Sequence, residues 1–297
     1  MLRAAMTQVC NAYPHMPATV DRLSSLADRL EEIRAANVDY HVSLIELAHQ
    51  RGARVIGLGE LFPAPYFALR RDDFWLGMAE SATEGPTVST MRRTAARLNM
   101  VIVAPIYERD GDQRFNTAVV IDADGSVLGR QRKCHIPQGS NERGSFVERH
   151  YYERADRPPY LQVFPSAVGP IGVAICYDRH FEGVMSGLAR RGAKLIFSPA
   201  VTFGSKSRRM WDLEFRVDAA RHNVFIGGSN RSGVEAPWNQ PYFGASYFTG
   251  PNGVLRNLSE DERLVIADLD FEELDQPDPS GWHLVRDTRP ELQQDGD

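Results

Sequence analysis

Short apolar runs alternate along this chain with segments whose apolar residues recur every three or four positions. Residues 2–10 read as a first strand. Val20, Leu23, Ala27, Leu30 and Ile33 then fall at helical spacing, and Val38, Val42, Ile45 and Ala48 fit a second helix. Gly52 stands where that helix would stop, because glycine enters the left-handed conformation that closes a helix without steric cost. Residues 53–58 return as a buried strand. Pro86 opens a helix with Val88, Met91, Ala95 and Leu98 on one face; proline is favourable there because the N–H it lacks would be unpaired in the first turn. Residues 100–106 form another strand. Residues 115–121 and 127–132 flank Asp122-Ala-Asp-Gly125, a hairpin signal.

The second half repeats the style. Residues 171–176 read as a strand, and Phe181, Val184, Met185 and Leu188 as a helix stripe ending near Gly192. A strand at 193–197 precedes a helix marked by Met210, Leu213, Val217 and Ala220. Strands at 224–229 and 263–269 follow, and then a tail rich in proline and aspartate. Strands alternating with helices imply an α/β layered fold with helices outside the sheets. No linker rich in Pro, Gly or Ser divides the chain and no short repeat appears. Residues 1–297 are therefore read as one continuous domain, with 276–297 a peripheral C-terminal tail.

Composition narrows the class. Hydrophobic residues are 42% and charged residues 25%, as in a soluble globular protein with a sizeable core and unlike a disordered, collagenous or disulfide-stapled chain. Lys and Arg total 34 against 39 Asp and Glu, a net charge of -5. Such a chain has no global attraction for nucleic acid or an anionic membrane surface. No apolar run approaches the roughly 20 residues of a membrane span, and the N-terminus lacks a secretory apolar core and an obvious cleavage site. Cys10, Cys134 and Cys176 include no CxxC pair, so neither a zinc site nor a redox dithiol is indicated. Few cysteines suit a reducing compartment, and a cytoplasmic location is expected.

Several side chains could carry chemistry. Cys176 closes an apolar strand, with a helix expected just after it. That elbow exposes a side chain at the C-terminal edge of a sheet, where α/β folds place ligands, and a helix N-terminus aimed at the sulfur would lower the thiol pKa. The plainer alternative is a buried structural cysteine. Glu60 likewise ends an apolar strand. Desolvation there would raise its carboxyl toward the range of a general base, and a solvated loop carboxylate is the alternative. Gly57-Leu-Gly59 beside it lacks the third glycine of a dinucleotide fingerprint. Lys133 follows the hairpin strand as either a surface charge or a fixed cation facing an oxyanion. His135 and His180 could serve as bases, although neither forms the spaced histidine pair of a metal site. Glu142 and Glu148 lie in the loop after Lys133.

Taken together, the set is specific. Glu60, Lys133 and Cys176, each at a strand end and in this order, resemble the Glu-Lys-Cys triad of the nitrilase superfamily of carbon–nitrogen hydrolases. The matching segments are Gly59-Glu60-Leu-Phe-Pro with Tyr66-Phe67, Arg132-Lys133-Cys134-His135-Ile136-Pro137, and Ile175-Cys176-Tyr177-Asp178-Arg179-His180. The resemblance runs from Met6-Thr7-Gln8 through Gly244-Ala-Ser246-Tyr-Phe to Arg286-Asp-Thr-Arg289-Pro290. It implies an αββα sandwich of two central mixed sheets flanked by helices, with protomers paired into homodimers or larger homo-oligomers. Cys-Tyr-Asp-Arg-His, Glu148-Arg-His-Tyr151-Tyr152 and Ser229-Asn230-Arg231-Ser-Gly233 are most similar to the β-ureidopropionase and N-carbamoyl amino acid hydrolase branch. By that resemblance Glu148 is a second active-site carboxylate and Arg179 binds a substrate carboxylate. Tyr177, His135 and Thr202 are further substrate-binding candidates. The loop Gln138-Gly-Ser-Asn-Glu-Arg departs from the branch pattern.

The resemblance implies that Glu60 deprotonates Cys176, that Lys133 and the N–H of Tyr177 hold the oxyanion, and that no metal or organic cofactor is used. A small-molecule substrate is expected, foremost an N-carbamoyl amino acid such as N-carbamoyl-β-alanine. An aliphatic amide, N-carbamoylputrescine or a nitrile would suit the same triad. From another class, a non-enzymatic α/β binding protein with a redox-sensitive cysteine also fits the residues read singly.

Overall fold

The computed structural model describes residues 1–276 and 280–289. The last part of the expected tail, including Pro290, lies outside them. Strand β1 (Leu2–Thr7) holds Ala4, Ala5 and Met6 in a continuous buried run, the pattern of a strand covered on both faces. Helix α1 (Leu30–Gln50) leads to β2 (Val55–Gly57), and α2 (Pro86–Leu98) to β3 (Val101–Asp110). Strands β4 (Gln113–Ile121) and β5 (Val127–Arg132) continue, and β6 (Gly139–Asn141) pairs with β7 (Gly144–Phe146) in a small hairpin. Next come β8 (Val163–Ser166), β9 (Gly169–Val173), α3 (Glu182–Arg190) and β10 (Leu195–Ala200). Helices α4 (Ser205–Trp211) and α5 (Glu214–His222) precede β11 (Phe225–Asn230). The hairpin β12 (Ser232–Glu235) and β13 (Gln240–Phe243), then β14 (Tyr247–Gly250), β15 (Gly253–Val254) and β16 (Leu264–Leu269), complete the strands.

One six-stranded sheet has the order β16-β1-β2-β3-β4-β5, and the other β15-β14-β11-β10-β9-β8. At the centre of each, three strands run parallel: β1, β2 and β3 in the first, β9, β10 and β11 in the second. Parallel neighbours need a crossover; α1 and α2 supply it in the first sheet, and α3 and the α4–α5 pair in the second. The outer strands pair antiparallel, and β16 returns late in the chain to lie beside β1, Leu2 opposite Leu269.

The inner faces of the sheets share one core, in which Met6, Val55 and Val103 mix with Val173, Phe197 and Phe248. A Cβ at Gly57 would come within 2.5 Å of the Phe197 ring, so glycine is what permits that approach. Ala5, Ile56, Ile102 and Ala104 pack outward against Ile45, Ala48, Val88 and Met91 of α1 and α2. The order helix–sheet–sheet–helix is the expected mixed-sheet α/β sandwich.

Several element boundaries differ from the sequence reading. The two expected N-terminal helices are a 3-10 stretch, Val20–Arg29, followed by one α-helix, Leu30–Gln50. Asn37 interrupts the apolar stripe there, but it is buried and its Nδ2 donates to Ile33 O and Asn11 Oδ1. A satisfied polar residue thus continues the helix where periodicity alone reads a break. The helix expected across Met210–Ala220 divides into α4 and α5, with exposed Leu213 at the junction. The strand expected to reach Cys176 ends at Val173.

Candidate active site

The three triad residues stand just past the C-terminal ends of three strands, Glu60 after β2, Lys133 after β5 and Cys176 after β9. Alternation along β5 sends Arg132 and Lys133 to opposite faces. Arg132 pairs with Glu108 and Asp156, whereas the Lys133 side chain is wholly buried. Its Nζ donates to Glu60 Oε1 at 2.9 Å and to Glu148 Oε2 at 2.6 Å. Glu60 is fixed further by Asn116 Nδ2, which donates to Oε1 at 2.7 Å, and by the Val201 N–H, which donates to Oε2 at 2.6 Å. The same residue Val201 turns its carbonyl toward Cys176, 3.7 Å from Sγ. The Glu60 carboxylate and the Cys176 sulfur therefore meet across one peptide residue of the loop after β10. Tyr66 OH donates to Glu148 Oε1 at 2.7 Å.

Cys176 has φ 50, a left-handed backbone on a residue with a side chain. Such conformations cost energy and concentrate at functional sites. No α-helix starts at the sulfur. A 3-10 turn, Cys176–His180, comes first, and α3 begins only at Glu182. The expectation of a lowered thiol pKa is therefore overturned. Burial pushes the Cys176 thiol up to about 12, with Glu60 adding to the rise and Lys133 and Arg179 opposing it. Burial also pushes the Glu148 carboxyl up to about 7, aided by Glu60 and opposed by Lys133 and Tyr66. Burial alone would lower the Lys133 ammonium, but Glu148 and Glu60 outweigh it and hold the proton on. The site at neutral pH thus holds a protonated thiol beside a charged amine and its two carboxyl partners.

A cavity of about 100 Å³ opens over Cys176. Tyr66, Glu148, Tyr177, Arg179, His180 and Thr202 line it, with Asn141 and Phe146 of the β6–β7 hairpin. Arg179 is buried. Its Nη1 donates to Cys176 O at 2.7 Å and reaches Sγ at 3.9 Å, and Nη2 donates to Thr202 Oγ1 at 3.3 Å. Its Nε stands 3.4 Å from Glu214 Oε2, and neither atom has a hydrogen bond. The structure brings Glu60, Lys133, Cys176 and Glu148 together, with Arg179, Tyr177 and Thr202 at the cavity wall.

His135 is placed elsewhere. It stacks on Phe181, and its Nδ1 lies 2.8 Å from Asp178 Oδ1. It lines a separate open groove of about 750 Å³ with Cys134 and Tyr160, which Cys176 does not line. The residues after Lys133 turn away because buried Asp178 accepts the Cys134 and His135 N–H groups. His180 faces the cavity but is paired with Glu214 at 2.6 Å. Glu142 accepts the Ser205 N–H and is not among the residues that line the cavity. Among the described residues, no group of three or more His, Cys, Asp or Glu side chains could hold a metal ion, and no helix is long and apolar enough to cross a membrane.

Sequence reasoning passed over Asn116, Val201 and Glu214. Asn116 and Thr117 are buried among the apolar residues of β4, a readable signal that a buried polar pair has work there. Val201 acts through its backbone, so its side chain carries no signal.

Residues 25–276 match the family described as carbon–nitrogen hydrolase. An N-carbamoylputrescine amidase of Oryza sativa subsp. japonica is 31% identical over 277 residues, covering 88% of this chain and 89% of that protein. A β-ureidopropionase of Arabidopsis thaliana is 31% identical over 290 residues, covering 91% and 67%. In fold, the chain superposes on a carbon–nitrogen hydrolase of Helicobacter pylori G27 with a TM-score of 0.81 at 23% identity, covering 99% of this chain and 97% of the other.

Proposed function

This chain belongs to the carbon–nitrogen hydrolase family, in the nitrilase superfamily, and from that premise we propose that it hydrolyses the ureido group of an N-carbamoyl amino acid. It acts as a carbon–nitrogen hydrolase on amide or ureido substrates; the choice among them is the proposal. The observation that carries it is the Arg179 guanidinium at the wall of the cavity, 3.9 Å from the Cys176 sulfur. A guanidinium there offers a carboxylate a charged, directional partner. The incomplete pairing with Glu214 leaves it donors to share.

The chemistry follows from the protonation states. With the thiol held near 12, the sulfur reacts at neutral pH only as a base removes its proton, and Glu60 takes that part. The sulfur bonds to the ureido carbon, while Lys133 and the Tyr177 N–H, at the unpaired start of the 3-10 turn, receive the oxyanion. One such donor is worth about 3–4 kcal/mol in the transition state. Glu60 returns its proton to the departing nitrogen and ammonia leaves, so that a thiocarbamate remains on Cys176. Water, deprotonated by Glu60, cleaves the thiocarbamate and restores the thiol. The carbamate released breaks into the amino acid and CO2. The balance is one water consumed, with one ammonia, one CO2 and one amino acid formed.

A carbamoylated amine is the second reading. The relatives named N-carbamoylputrescine amidase support a cationic far end. Arg179→Ala separates the two. The account expects KM for N-carbamoyl-β-alanine to rise about tenfold or more while uncharged amides change little. Equal losses on both would remove the carboxylate from the proposal.

A further inference from the structure

A second buried ion pair lies behind the triad. Arg231 and Glu235 are 3% and 2% exposed and pair through Nη1 and Oε1. The other guanidinium nitrogen, Nη2, donates to three carbonyls of the loop that carries the base: Glu60 O at 3.2 Å, Leu61 O at 3.2 Å and Ala64 O at 2.9 Å. Leu61 has φ 51, so that loop contains a left-handed residue with a side chain, a conformation that lasts only where its surroundings impose it. Carbonyl oxygens turned toward one another repel unless a cation stands between them, and Nη2 is that cation.

Glu235 performs the matching task on the other carboxyl group. Its Oε2 accepts the Tyr66 N–H at 2.9 Å, and the Tyr66 hydroxyl holds Glu148 Oε1 at 2.7 Å. The two carboxyl groups that grip Lys133 are thus oriented from behind by the two halves of one ion pair. Buried ion pairs add little net stability compared with apolar packing, so this one is better explained by what it aligns.

We propose that Arg231 and Glu235 are positioning residues, which set Glu60 and, through Tyr66, Glu148 against Lys133. The inference rests on the reading of Glu60 as the base. A misplacement on the order of 1 Å costs about 10²-fold in rate, because proton transfer demands closer alignment than binding does.

The test uses Glu235→Gln and Arg231→Lys, with wild type, Arg231→Ala and Glu60→Gln beside them, in two arms. Glu235→Gln keeps size but ends the charge pairing, and Arg231→Lys keeps charge but loses the planar fork. In steady-state kinetics on whichever ureido or amide substrate wild type turns over, Glu235→Gln is expected to lose about 10²-fold in kcat with KM changed less than about threefold. Arg231→Lys should retain more activity than Arg231→Ala. In the second arm, crystal structures of the folded variants should show Glu148 withdrawn from its 2.6 Å contact with Lys133 in Glu235→Gln, and Glu60 withdrawn from its 2.9 Å contact in Arg231→Lys. Wild-type kcat in folded Glu235→Gln with Glu148 in place would overturn the inference and leave the base assignment standing. Full activity of Glu60→Gln would overturn both. Absence of turnover in wild type would count against the proposed reaction, and the crystal structures alone would then decide the positioning role. Loss of the fold in both charge-pair variants would assign the pair to stability and overturn the inference.

Discussion

Cys176 shows how one residue's surroundings set its chemistry. Its backbone is left-handed, its sulfur is buried, and its thiol is pushed up to about 12. Iodoacetamide labelling of Cys176 should therefore quicken steadily as pH rises from 7 to 10, with no plateau in the ordinary thiol range near pH 8.5. A plateau there, read by mass spectrometry of the labelled peptide, would contradict the raised value. Cys10 and Cys134 are also pushed up to about 12 by burial, so the resting thiol does not by itself set Cys176 apart from them. Glu148 gives a second test. Its folded carboxyl is raised from 4.5 to about 7, so between those values the folded state holds a proton that the unfolded state has released. Its contribution to stability is full below pH 4.5 and fades as pH rises to 7. Glu148→Gln should flatten that part of the stability profile in denaturant titrations, and an unchanged slope would count against it. At this scale the sequence was informative about chemical side chains ending apolar strands. It said less where orientation decides, since His135 and Cys176 both follow strands but only Cys176 lines the cavity.

At the scale of elements, hydrophobic period located most central strands and α2, because burial on both faces leaves a continuous apolar run. It misjudged α1, where Asn37 is buried and satisfied inside the helix, and it passed over the hairpins β6–β7 and β12–β13. Those hairpins are short, with the exposed residues Ser140, Ser145 and Val234 among their strands, so their patterns carry little contrast. What no pattern along a single strand discloses is how closely two sheets approach. Gly57 of β2 faces the Phe197 ring of β10, and an added Cβ would stand 2.5 Å from it. Gly57→Ala should lower stability by about 1–3 kcal/mol, the usual cost of overpacking a core, as read by the midpoint of a urea transition. A midpoint equal to wild type would mean that the sheets are not held so close at this position.

At the scale of the whole molecule, the two sheets bring together residues far apart in the chain. Glu60 and Lys133 come from the first sheet and Cys176 from the second, so the site exists only when the sheets face each other. The order of the triad was legible because each member carries its own motif. The partners Val201 and Glu235 were not, because their roles depend on that long-range assembly. Pairing of protomers into dimers or larger homo-oligomers remains an expectation of the family resemblance, and light scattering in solution should return twice the chain mass or a higher multiple; a monomer would contradict it. The most direct measurement for the central claim is the product balance on N-carbamoyl-β-alanine, with wild type and Cys176→Ala side by side. The account predicts ammonia and CO2 released in equal amounts by wild type and neither by a folded Cys176→Ala. Equal release by both proteins, or no release by wild type, would contradict it.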